Sequence, residues 1–138
     1  MTVHERDYEM GPALRAIAMP ADTNPNGDIF GGWLLSQMDL AGGAAAIRRA
    51  QGRVATVGIE AIKFHQPVLV GDEVSCWCTI ERVGRTSVAV RVETWVRRGM
   101  APARKVTEGV FTYVAIGPDR RPRPIPPPPA SEEKPADG

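Results

Sequence analysis

The chain has 138 residues, enough for one domain with a buried core, and 43% of them are hydrophobic, as in an ordinary globular protein. Seventeen Lys and Arg face 16 Asp and Glu, a net charge of +1, which leaves no basic footprint for nucleic acid and no reason to expect it as a partner. MTVHERDYEM at the start is charged and lacks the apolar core of a signal peptide, and no apolar run is long enough to span a bilayer, so neither membrane nor export is expected and the cytoplasm is the default.

Residues 1–12 read as a flexible leader. Leu14, Ala16 and Ala18 alternate with Arg15, Ile17 and Met19, which predicts a short first strand. MPADTNPNGDIFGG follows, dense in Pro, Asn, Asp and Gly, and reads as a structured loop. From Trp33 to about Ala50 the residues favour helix. Gly42 and Gly43 each cost roughly 1 kcal/mol against alanine in a helix interior. They are expected where something packs close to the backbone, so Gly-Gly-Ala-Ala-Ala makes a thin rod that a sheet can wrap around. Arg48 and Arg49 suit the negative end of the helix dipole, and Gly52 is a stop signal.

Beyond Gly52 the period becomes two. Val54 to Phe64 reads as a strand, and Pro67 and Gly71-Asp72 mark a turn. Val74, Cys76, Cys78 and Ile80 share one face of the next strand. A disulfide between Cys76 and Cys78 would be strained, and no second pair exists to complete a zinc site, so both read as packed thiols. Gly84-Arg85 fits a tight hairpin turn. Val88, Val90, Val92 and Val96 line the following strand, Gly99 to Pro102 turn the chain, and Val106, Val110, Val114 and Ile116 are the expected apolar face of the last strand. One strand, one helix and about four further strands with short links give an α+β domain with an antiparallel sheet over residues 13–117. From 118 to 138 the composition turns to Pro, Arg, Glu and Lys, which reads as a proline-rich disordered tail.

Asp39 is the candidate for chemistry. Aspartate is a poor helix-interior residue, and its helical neighbours Leu35, Ser36, Gly42 and Gly43 offer no ion-pair partner. A sheltered carboxylate of this kind suits a general acid or base; a solvated stripe shared with Ser36 is the other reading. Gly31-Gly32 precede the first helical turn, where free N–H groups and the positive dipole end can hold an oxyanion, or form a plain entry turn. Gly32 and Asp39 lie seven residues apart, about 10 Å along a helix axis, so both cannot touch one carbonyl. If both act, one belongs to a second copy of the chain. His4 and His65 are lone histidines. Arg82, Arg85, Arg97, Arg98, Arg104 and Lys105 gather at strand ends and hairpins, where they suit either a phosphate or a solvated edge.

MPADTNPNGDIFGGWLLSQMDLAGG resembles the signature of YciA-like acyl-CoA thioesterases within the hot-dog acyl-CoA hydrolases. The similarity continues through RVATVGIEAIKFHQPVLVGDEV, VGRTS, VETWV and VTEGVFTYVAI. It implies a hot-dog fold, a curved antiparallel sheet of about five strands wrapped around one long central helix. It implies hydrolysis of acyl-CoA to free acid and CoA with no metal or organic cofactor, since the thioester is already an activated acyl group. It places the catalytic aspartate at Asp39, as general base or as nucleophile, its paired asparagine at Asn24, and the amide that holds the carbonyl at Gly32 or Gly31, with Gly32 preferred. Nucleotide contacts of coenzyme A fall near Arg85, Thr86 and Ser87. Self-association as a dimer, and further to a trimer of dimers, is implied as well. Two other functions share the fold: a hydroxyacyl dehydratase, against which His65 lacks the required His-Phe-Pro-type motif, and a non-catalytic acyl-CoA-binding module.

Overall fold

The computed structural model describes residues 11–128; most of the leader, His4 included, and the tail from 129 lie outside them. Strands β1 (Leu14–Ile17), β2 (Val54–Phe64), β3 (Glu73–Val83), β4 (Ser87–Arg97) and β5 (Arg104–Ala115) form one sheet in the order β1-β3-β4-β5-β2. Every neighbouring pair is antiparallel. Helix α1 (Gly31–Ala50) intervenes between β1 and β2 in the chain, and β2 closes the far edge against β5. The α+β, hot-dog expectation is met: one sheet, with one long helix against its inner face.

The packing follows from side-chain size. Leu34, Met38, Ala41, Gly42, Ala46 and Ala50 form the buried stripe of α1. They meet Val74 and Cys76 of β3, Val88, Val90, Val92 and Val96 of β4, and Phe111 and Tyr113 of β5, all fully buried or nearly so. Burying one such valine or phenylalanine contributes about 1.5–3 kcal/mol. The thin rod is needed at Gly42, where a Cβ would stand 2.5 Å from the Tyr113 hydroxyl oxygen; at Gly43 the same atom would make only an ordinary 3.8 Å contact.

Four details differ from expectation. The helix takes in Gly31 and Gly32 as its first turn, behind Phe30, whose extended backbone begins it. It ends on Gln51, which adopts the left-handed conformation itself (φ 56°), while Gly52 is small because Arg123 crosses over it. The third difference is the inner face of β5. A bulge between Thr94 and Trp95 puts one extra residue on the β5 side, and with a side-chain period of two that reverses the faces. Val106 points inward before it; after it Thr107, Phe111, Tyr113 and Ala115 do, and Val114 and Ile116 lose the core position expected of them.

The fourth is the segment after Gly117. Ile125 packs on the core and its N–H donates to the Arg85 carbonyl at 2.9 Å. Arg123 Nε donates to the Ile116 carbonyl, Arg49 Nη1 to Pro126 O at 2.8 Å and Gln51 Nε2 to Pro127 O at 3.0 Å. The body therefore extends to Pro127 as a strap, because arginine and glutamine side chains supply the donors that proline lacks. Among the described residues no helix is long and apolar enough to cross a membrane.

Candidate active site

Asp39 is half-buried at the middle of α1. Thr56 Oγ1 donates to its Oδ1 at 2.9 Å, and the Tyr113 hydroxyl lies 2.9 Å from the same oxygen and 3.0 Å from the Asp39 main-chain carbonyl. Oδ2 has no hydrogen-bond donor among the described residues. The carboxylate is thus held from the sheet and not stranded on a solvated stripe. Neither Thr56 nor Tyr113 stands out in the sequence. Thr56 is a single threonine in a strand, and Tyr113 faces inward only because of the bulge in the β4–β5 ladder.

Burial pushes the Tyr113 hydroxyl well above the ordinary tyrosine range, and the hydrogen bond and negative charge of Asp39 push it the same way. It is therefore a permanent donor. Cys76, on the same inner face, is pushed up to about 11 by burial, against a smaller opposing hydrogen bond with Thr94. Both cysteines are free thiols, as expected.

The second group of candidates forms a separate cavity of about 370 Å³. Asn24, Gly31, Leu34, Phe64, His65 and Gln66 are among its lining residues. The loop that carries Asn24 is tightly closed. Asn24 N–H donates to the Asp28 carbonyl at 2.7 Å, Ile29 N–H to the Val68 carbonyl at 3.1 Å and Phe30 N–H to the Asp22 carbonyl at 2.9 Å. Asn24 Oδ1 accepts from the N–H groups of Asn26 and Asp28, at 2.9 and 3.1 Å. That commitment fixes the amide orientation and leaves Nδ2 as a donor without a partner among the described residues.

Phe30 provides no side-chain cap, and the first main-chain bond of α1 runs from Leu34 N–H to the Phe30 carbonyl at 3.2 Å. The N–H groups of Gly31 and Gly32 therefore have no helical acceptor. Gly31 lines the cavity and Gly32 does not. Asp39 is also absent from its walls, so within one chain the carboxylate and the Asn24 cavity are separate.

His65 sits at the cavity rim with Nε2 2.9 Å from Glu108 Oε2. This contact, opposed by partial burial and assisted by Lys105, holds Glu108 below the usual carboxylate range. Arg85 and Thr86 form the β3–β4 turn beside Ser87, where the Gly84 N–H donates to the Ser87 carbonyl at 2.8 Å. Their own carbonyls hold Ile125 and Ala115. The structure does not bring these three residues to Asn24 or Asp39 within one chain. Arg98 is taken up by a two-pronged pair with buried Asp72 (2.8 and 2.9 Å), and Lys105 by Glu108 at 3.4 Å. Among the described residues no three His, Cys, Asp or Glu side chains converge as metal ligands would.

Residues 26–103 match the family model of the thioesterase superfamily. The acyl-CoA thioester hydrolase YciA of Salmonella typhimurium is 50% identical over 130 residues, 91% of this chain and 98% of its own. That of Escherichia coli K12 is 49% identical over 117 residues, 82% and 89% of the two chains. Among solved structures, a hexameric thioesterase of Yersinia pestis superposes with a TM-score of 0.81 at 48% identity, covering 83% of this chain and 94% of that one. A hexameric hotdog fold thioesterase of Campylobacter jejuni does so at 0.81 and 42% identity, covering 84% and 90%. The fold and these matches define a hot-dog thioesterase. The chain belongs to the thioesterase superfamily and, within it, to the YciA-like acyl-CoA thioester hydrolases.

Proposed function

We propose that this enzyme hydrolyses acyl-CoA thioesters at a site shared by two chains, with Asp39 of one chain working opposite the Asn24 loop and the first-turn amides of the other. The supporting observation is the separation of the two half-sites along β2. Asp39 is bonded to Thr56 near the start of that strand, whereas the Asn24 cavity borders Phe64 at its end. β2 is an edge strand, with its outer row of N–H and C=O groups unpaired and Val57, Ile59 and Phe64 exposed. Two copies of β2 paired antiparallel set the beginning of one strand beside the end of the other, and so set each Asp39 beside the partner's cavity. The hexameric relatives support self-association; the dimer through β2 and a trimer of such dimers are part of the proposal.

In this arrangement Asp39 Oδ2 takes a proton from water as the water oxygen bonds to the thioester carbon. The N–H groups of Gly32 and Gly31 hold the carbonyl oxygen as it becomes an oxyanion. Asn24 Nδ2 orients water or substrate. Collapse breaks the C–S bond, the thiolate takes the proton back from Asp39, and carboxylic acid and CoA leave. The β3–β4 turn at Arg85, Thr86 and Ser87 receives the nucleotide end of coenzyme A.

The test is thiol release from acyl-CoAs by the wild type and by Asp39→Asn. The variant is expected to keep its assembly and melting temperature and to lose about 10²–10⁴-fold in kcat, the usual worth of a general base. Wild-type turnover in Asp39→Asn would remove Asp39 from the reaction. A single turnover in isotopically labelled water reports a nucleophile when the label enters the Asp39 carboxylate, since a general base never exchanges its oxygens with the attacking water.

A further inference from the structure

We infer that Tyr113 is the positioning residue for the thioesterase carboxylate: its hydroxyl pins Oδ1 of Asp39 so that Oδ2 faces the substrate, and Gly42 is small so that the hydroxyl can reach. The inference rests on Asp39 being the reacting group.

Three observations carry it. Tyr113 is only 1% exposed, so its ring is fixed by packing against α1 and the sheet. A buried hydroxyl has a single proton to donate, and here it is shared between the Asp39 main-chain carbonyl at 3.0 Å and Oδ1 at 2.9 Å; the nearer and charged acceptor is the carboxylate, so the bond is directed at it. Third, the approach depends on a missing side chain. A Cβ at Gly42 would stand 2.5 Å from the Tyr113 hydroxyl oxygen and 3.3 Å from its ring carbons. Gly42 is three residues beyond Asp39, just under one helical turn, so the glycine that opens the space and the carboxylate that uses it share a face.

The physical reason for such a pin is rotational. Asp39 is half-exposed, and a short carboxylate there samples several rotamers. One donor from an exposed side chain, Thr56, leaves that freedom partly intact; a second from a buried ring fixed by packing removes it. Because the Tyr113 hydroxyl stays protonated across the working range, the pin does not loosen as pH rises.

The experiment measures thiol release and thermal melting for Tyr113→Phe, Gly42→Ala, Asp39→Asn and the pairwise combinations in the full chain. Tyr113→Phe is expected to lower kcat roughly 10- to 100-fold, the scale of a small misplacement of a catalytic group, with KM within twofold and assembly unchanged. In the Asp39→Asn background it is expected to cause no further loss of the residual rate. Gly42→Ala is expected to lower kcat similarly, and to depress melting more beside the native tyrosine than in the Tyr113→Phe background, where no hydroxyl meets the new methyl. Wild-type kcat in Tyr113→Phe overturns the inference, as does a raised KM with kcat intact, or an equal loss in both Asp39 backgrounds. Full activity of Asp39→Asn instead overturns the assignment of Asp39 itself. An inactive Asp39→Asn beside a fully active Tyr113→Phe removes the pin alone.

Discussion

Thr56 stands opposite Tyr113 in the β2–β5 ladder. Partners in an antiparallel pair point to the same face, so the two hydroxyls rise together beneath α1 and meet at one oxygen of Asp39. The register slips immediately after Thr56, between it and Gly58. A bulge on the near side of Thr56 would have turned its hydroxyl to the outer face.

This pairing makes Thr56 the second support of the carboxylate. Thr56→Val keeps the shape of the side chain and removes the donor. It is expected to lower kcat about tenfold, as loss of one charge-assisted hydrogen bond of about 1.5 kcal/mol implies. Thr56→Ser, which keeps the hydroxyl, is expected to restore most of the rate. Thr56 is exposed, so melting temperature should change little in either variant. Equal activity of the valine and serine variants would show that the donor is idle.

Acid stability should depend on Asp72. Burial alone pushes this carboxyl upward, but hydrogen bonds from Arg98 and from the Leu69 N–H, with the charges of Arg98 and Arg104, outweigh it and hold the group below the usual range. A carboxylate depressed in the folded state adds stability above its unfolded value, and that stability is lost as pH falls through the folded one. Glu108 is depressed too and acts in the same direction. Melting temperature should therefore fall as pH drops below about 4. Asp72→Asn should cost about 2 kcal/mol at neutral pH by removing the charged partner of Arg98, and should flatten the acid limb of a melting-against-pH curve.

Cys76 should resist modification. With its thiol pushed up to about 11, about one molecule in a thousand carries a thiolate at pH 8. The side chain is fully buried as well. Iodoacetamide at that pH is expected to leave Cys76 unlabelled in the native protein and to label it after unfolding, as peptide mass mapping would show. Labelling in the native state at the rate of a free thiol would contradict the packing of β3 against α1.

The strap should matter to stability. Truncation after Arg121 removes Ile125 from the core and the acceptors at Pro126 and Pro127 used by Arg49 and Gln51. A loss of about 1–2 kcal/mol is expected from the half-buried isoleucine and the released donors. Truncation after Pro128 keeps each of these contacts, and its melting temperature is expected to match that of the full chain. Since Ile125 also holds the Arg85 carbonyl, the shorter variant should raise KM for acyl-CoA if the β3–β4 turn contacts the nucleotide.

Much of this was legible from residues alone. The change from a helical to a two-residue period at Gly52 marks the switch from α1 to β2, the valine alternation of β4 is its buried face, and Gly42 announces a close approach. Local chemistry sets each of these, through backbone freedom and the spacing of apolar side chains along one element. Other features lie beyond any local pattern. The bulge opposite Thr94 shifts β5 by one residue, and no periodicity within β5 itself reports it. The strap looks like a solvated tail until Arg49 and Gln51, more than seventy residues away, supply its donors.

The amino-acid sequence determined the elements, their order, the family and the one acidic side chain set in a small-residue helix. Only the tertiary structure decided that Asp39 is held by Thr56 and Tyr113, that the Asn24 side-chain oxygen is taken up by its own loop, and that Ile125 packs against the core. The physical reason is distance along the chain. Periodicity and capping are encoded within a few residues of where they act, whereas a hydrogen bond across 74 residues exists only once strand register and bulges have brought its partners to one place.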